Sequence, residues 1–125
     1  MAGTLTISTL SDGTNSTSST NCIQGSAKAL VYFNGGVGPT INGSFNVSSV
    51  TRNGTGDYTV NFTTAMANSN YAAFCNSGFV ASASCTINVI PYASGNTTSS
   101  IRFASYTNAI VAYDAPYYTV SVFSS

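Results

Sequence analysis

Gly43-Ser-Phe-Asn-Val-Ser-Ser-Val-Thr-Arg-Asn-Gly-Thr-Gly-Asp-Tyr-Thr-Val-Asn-Phe-Thr63 decides the fold class of this 125-residue chain. Tyr58, Val60 and Phe62 alternate with Thr59, Asn61 and Thr63, the period of two that a half-buried strand requires. Phe45, Val47 and Val50 supply the apolar side chains of a first arm. The step from Val47 to Val50 breaks the alternation and predicts a bulge near Ser48 and Ser49. Between the arms, residues 51–57 contain Asn53-Gly54, the dipeptide best suited to the positive φ of a reversing turn. The stretch reads as a β-hairpin with arms near 41–50 and 57–63.

Working outward, the same alternation recurs. Leu5 and Ile7 alternate with Thr and Ser in a first strand that reaches Leu10, and residues 12–21 form a polar, turn-rich linker. Ala29, Val31 and Phe33 share one face of a strand over 27–33, which Asn34–Pro39 turns. Further strands are expected at 70–75, at 85–91, at 100–105 with Ile101 and Phe103 inward, and at 118–123 with Tyr118, Val120 and Val122 inward. Residues 93–98 read as a turn and 106–116 as a loop. No apolar pattern of period 3.6 lasts two turns, and Glu is absent, so no helix is expected. Seven or eight short strands at intervals of about a dozen residues predict an all-β fold, an antiparallel β-sandwich. Residues 1–21 are read as a strand-and-linker attachment arm and 22–125 as the domain.

Only 5% of residues are charged, against roughly 25% in an average globular chain, and the net charge is zero. A free monomer with so little charge associates readily, which favours an oligomeric, structural part. Lys28, Arg52 and Arg102 cannot neutralise a run of phosphates, so nucleic acid is excluded as a partner. No apolar run approaches the roughly 20 residues of a spanning helix, and the first residues carry no secretory signal. Cys22, Cys75 and Cys85 are read as reduced, mostly buried thiols, with a Cys75–Cys85 bridge or an intermolecular one as the alternatives.

Catalytic chemistry has little to work with. There is no His to activate a Ser or Cys, and no Glu. Asp12, Asp57 and Asp114 are the only carboxylates, and each is read as a turn stabiliser. Cysteine spacings match no zinc site, three dispersed aspartates make no calcium loop, and no cofactor is expected. Six Asn-x-Ser/Thr sequons, from Asn15 to Asn96, follow from the composition and receive no function. Tyr106, Tyr113, Tyr117 and Tyr118 are the one positive binding signal: aromatic faces can stack on sugar rings or on protein, while the alternative is core or subunit packing. Arg52 is read as an exposed turn residue, Arg102 as an inter-subunit donor and Lys28 as a residue of a solvated strand face.

The hairpin, together with Gly25-Ser-Ala-Lys-Ala-Leu-Val-Tyr-Phe-Asn-Gly35 before it and Ala65-Met66 after it, resembles a module of bacteriophage tail fibres and other small phage virion proteins. Members of that family commonly carry Trp where this chain has Leu30. Weaker likeness continues through Asn70-Tyr71-Ala72, residues 99–103, Asn108-Ala109, Asp114 and residues 120–123. The resemblance implies a virion structural protein, made in a bacterial host's cytoplasm and assembled as an oligomer, a trimer by preference with a dimer as the alternative. Its partners would be other virion proteins and a host-surface glycan or protein. A tail fibre or tail appendage is the first expectation and a capsid decoration protein the rival. Leu5, Ile7 and Leu10 are the expected virion-attachment residues, adding to a neighbour's sheet edge.

Overall fold

The computed structural model describes residues 3–78 and 88–124. Its elements are β1 (Thr9–Ser11), β2 (Ser16–Ser18), α1 (Ser19–Gly25), β3 (Ala29–Asn34), β4 (Thr40–Phe45), β5 (Val47–Gly54), β6 (Asp57–Phe62), β7 (Ala72–Ser77), β8 (Asn88–Asn96), β9 (Ser100–Tyr106) and β10 (Tyr117–Phe123). All strand pairings among them are antiparallel, as the all-β reading expects. Two four-stranded sheets, β4-β3-β10-β7 and β5-β6-β9-β8, carry the body of the chain, and β1 and β2 form a separate small ribbon.

Alternation builds the core. Ala29, Val31 and Phe33 from β3 and Tyr118, Val120 and Val122 from β10 face inward from one sheet. Tyr58, Val60 and Phe62 from β6 and Ile101 and Phe103 from β9 face inward from the other. They form one cluster, closed by Met66 and Tyr71. Rings cross between the sheets: Phe33 lies 5.5 Å from Tyr58, and Tyr58 lies 4.9 Å from Tyr118, centroid to centroid.

The deciding stretch folds differently from its reading as one hairpin. The first arm is broken at Asn46, where φ is +54°, a left-handed conformation that Asn tolerates better than most residues. Residues 40–45 belong to one sheet and 47–54 to the other. Asn46 holds this corner with its own side chain. Its Nδ2 donates to the Lys28 carbonyl at 2.9 Å and its Oδ1 accepts from the Thr64 N–H at 2.7 Å. The expected bulge lies where the alternation failed, between Val47 and Ser49.

Asn53-Gly54 does not make the reversal. It stays in β5, and the chain turns at Thr55-Gly56 with Gly56 at φ +66°. A Cβ at Gly56 would meet the Ser105 carbonyl oxygen at 2.4 Å. Gly56→Ala is therefore expected to cost about 2 kcal/mol, read as a lower midpoint in urea with unchanged slope.

The first 26 residues depart furthest from expectation. Residues 4–8 form no strand, and pairing starts only at Thr9. An alternating segment needs a partner to become a ladder, and no described strand of the chain offers one to it. Within the expected linker, Ser18 caps a seven-residue helix by accepting the Asn21 N–H. Nothing in this helix is buried, so capping rather than an apolar stripe starts it, and periodicity could not reveal it. Part of the strand expected at 85–91 lies outside the described residues. Its described portion, β8, runs through the expected turn at 93–98 as far as Asn96, with its register interrupted between Pro91 and Asn96.

Candidate interaction surface

The two sheets turn different outer faces to solvent. On β5-β6-β9 the outer positions are polar and bonded to one another. Asn61 donates to Ser49 and Thr51, and Asn53 donates to Asp57 and Thr59. Arg102 holds Asp57 from the neighbouring strand at 2.6 Å while stacking over the Tyr92 ring at 4.8 Å. That hydrogen-bonded guanidinium keeps the Asp57 carboxyl below its ordinary range, against the opposing effect of partial burial. Arg102, expected to reach a neighbouring subunit, is thus engaged within its own chain.

The outer face of β4-β3-β10-β7 carries large exposed apolar side chains among Ser121, Thr119 and Asn76. In register across the sheet, Phe45 stands opposite Leu30, Leu30 opposite Ser121, and Ser121 opposite Phe74. Phe45 is 58% exposed, Phe74 61% and Leu30 42%. Tyr32 and Tyr117 add an edge-to-face pair at 5.5 Å, and Phe74 meets Phe123 at 5.9 Å. Large apolar side chains grouped on one exposed face make it the candidate interaction surface. Reading the sequence missed it, although the signal was there. The unbroken run Ala29-Leu-Val-Tyr-Phe33 has apolar residues on both faces, the mark of a strand covered on both sides. Leu30 lies in the middle of this face.

The four tyrosines expected to act together are separated. Tyr118 is fully buried in the core, and its neighbour Tyr117 points to the opposite, outer face because strand residues alternate. Tyr106 and Tyr113 are half-buried beside the loop that joins β9 to β10. The Tyr118 hydroxyl meets Ser105 Oγ at 2.6 Å and accepts the Ala115 N–H at 2.8 Å, so it closes the core and cannot be a contact residue.

A second cluster sits at the same end of the core. Asp114 accepts from Arg52 Nη2 at 2.7 Å, from the Tyr58 hydroxyl at 2.6 Å and from the Gly56 N–H at 2.8 Å. Burial pushes this carboxyl up, but the bonds from Arg52, Tyr58 and Gly56 outweigh it and hold Asp114 below its ordinary range. Burial and the Asp114 charge raise the Tyr58 phenol, which stays protonated and donates. Arg52, read as an exposed turn residue, is instead bound across the molecule, with both side chains of the pair only 21% exposed. Asp12 is a turn stabiliser as expected, accepting the Thr14 and Asn15 N–H groups.

Leu5, Ile7 and Leu10 are exposed, and with Cys22 and Ile23 they line an open apolar groove of about 370 Å³. Cys22 is exposed rather than buried, whereas Cys75 is half-buried, with its thiol pushed up to about 12 by desolvation. Cys85, and with it the Cys75–Cys85 alternative, lies outside the described residues. Lys28 is half-buried and donates back to the Ile23 carbonyl and to Ser26.

Among the described residues no three His, Cys, Asp or Glu side chains converge as a metal site, and no helix is long and apolar enough to cross a membrane. Compared with known proteins, the chain matches no family model, no curated protein and no solved structure.

Proposed function

We propose that this chain is a non-catalytic structural subunit of a bacteriophage particle, a β-sandwich that assembles with copies of itself as a trimer. The observation that carries the reading is the contrast between the outer faces. One is polar and internally bonded across β5, β6 and β9, with Ile90 exposed on β8; the other presents Leu30, Tyr32, Phe45, Phe74 and Tyr117 to water in a chain without net charge. A permanent assembly hides such a face, whereas a free monomer pays for it in solubility. The resemblance between residues 25 and 66 directs the choice of assembly to a virion. Within it, the chain serves as a tail fibre or tail appendage that adheres to a host-surface glycan or protein by many weak contacts.

The rival, a capsid decoration protein that binds only virion proteins, is favoured by one observation. The tyrosines expected to make a receptor patch are dispersed, and what remains exposed is aliphatic and aromatic surface suited to protein. Labelling the chain in intact particles separates the two: label on tails supports adhesion, and label over the head supports decoration. Self-assembly is tested by Leu30→Asp with Phe74→Asp. The doubly substituted chain is expected to run as a monomer in light-scattering chromatography while the unsubstituted chain runs as a trimer. An unsubstituted chain that stays monomeric at every concentration sinks the assembly reading.

A further inference from the structure

We infer that residues 4–8 of one copy add as an extra strand along the outer edge of β4 in another copy. This rests on the self-assembly reading above and names a contact within it. Leu5 and Ile7 alternate with Thr4, Thr6 and Ser8 as in a half-buried strand. In the folded chain, however, residues 4–7 have no backbone hydrogen-bond partner among the described residues, and Leu5 is 80% exposed. An alternating segment without a ladder is suited to add to another sheet's edge, and only its last residue, Ser8, is engaged, its carbonyl accepting the Ser19 N–H.

The acceptor follows from comparing the sheet edges. β8 is blunted by Pro91 and an interrupted register. β5 is bulged near both ends. β7 has every second residue half-buried and meets β8 more extensively than β4 meets β5. β4 pairs only with β3 and has neither charge nor proline between Thr40 and Phe45, and five of its six residues are exposed. Edges meant to stay solvated usually carry charge, proline or strong distortion, and the one shift between β3 and β4 leaves residues 43–45 in regular register.

Side-chain complementarity points the same way. Gly43 stands opposite Tyr32 on the outer face, and a Cβ there would meet nothing within 4 Å. Leu5 or Ile7 on an adjacent strand would cover that gap and lengthen the apolar row of Phe45 and Leu30. A five-residue strand spans about 17 Å, most of the roughly 20 Å of the six-residue β4. A single added strand is a small interface, and the outer face beside that edge is available to extend it toward the roughly 1,000 Å² that a specific interface requires. When each copy donates to the next, the contact is head-to-tail: closure at three is the trimer proposed above, and an open filament would overturn the trimer.

Thr6→Pro removes one N–H from the donor without altering Leu5 or Ile7, and Leu5→Asp removes an apolar anchor while keeping the backbone. Neither position belongs to the body's ladders, and an unchanged near-ultraviolet circular dichroism spectrum checks that both variants fold. Amide hydrogen exchange of β4 is then compared at high protein concentration. The expected result is slow exchange across residues 41–45 in the unsubstituted chain and at least tenfold faster exchange in both variants. A synthetic peptide of residues 3–8 is expected to restore protection. If the chain oligomerises but β4 exchanges equally in all three proteins, strand addition is overturned while self-assembly stands; that is also the outcome if residues 4–8 stay in their own groove beside Ile23. A chain that is monomeric throughout overturns both.

Discussion

Phe33→Ala is expected to lower stability by about 3–5 kcal/mol, a large part of the roughly 5–15 kcal/mol that holds a small domain folded. Phe33 is fully buried, with ring centroids of Tyr118 at 5.2 Å, Tyr58 at 5.5 Å and Phe103 at 6.4 Å. These neighbours come from both sheets, so the ring is the piece that the two inner faces share. Strand ladders on each side, β3 with β10 and β6 with β9, resist collapse into the space left behind. The cost therefore includes a cavity as well as the lost transfer energy. Urea unfolding measures it as a lower midpoint at constant slope, and Phe33→Leu, which keeps most of the volume, should cost about 1 kcal/mol. A loss below 1 kcal/mol for the alanine variant would mean that the two sheets do not meet at this ring.

Asp114→Asn should cost about 1–3 kcal/mol, because it weakens the acceptor for the buried Tyr58 hydroxyl; it also removes the counter-charge of Arg52. Residue 114 ties the loop after β9 to the turn at Gly56 and to the end of β5. Its removal should free residues 107–116 to exchange amide hydrogens faster, as well as lowering the midpoint. The acid response has a defined sign. The folded Asp114 carboxyl titrates below its unfolded value, so its contribution is complete above the ordinary carboxylate range. That contribution is lost as pH falls through the folded value. The unsubstituted chain should lose stability below about pH 4, and Asp114→Asn should give a flatter profile there. Asp57 acts in the same direction through Arg102, with a smaller effect because the arginine side chain is 47% exposed. Equal acid sensitivity in the two proteins would show that Asp114 is not the group responsible.

The candidate surface was only partly legible. Leu5, Ile7 and Leu10 were read as attachment residues on a first strand; they are exposed, but residues 4–8 form no strand in the folded chain. Tyr118 was misassigned because four nearby tyrosines suggest a patch when counted along the chain. In a strand, adjacent residues face opposite ways, so Tyr117 and Tyr118 cannot share a surface. Arg52 was misjudged because its partner, Asp114, lies 62 positions away, and no local rule connects them.

The sequence by itself determined which residues face inward on β3, β6, β9 and β10, since a period of two is a local property of an extended backbone. Tertiary structure alone decided where the long arm breaks at Asn46, which sheet each half joins, and that Leu30, Tyr32, Phe45 and Phe74 line one outer face. Alternation sorts side chains into two sets; what covers each set depends on long-range pairing, which a linear pattern does not encode.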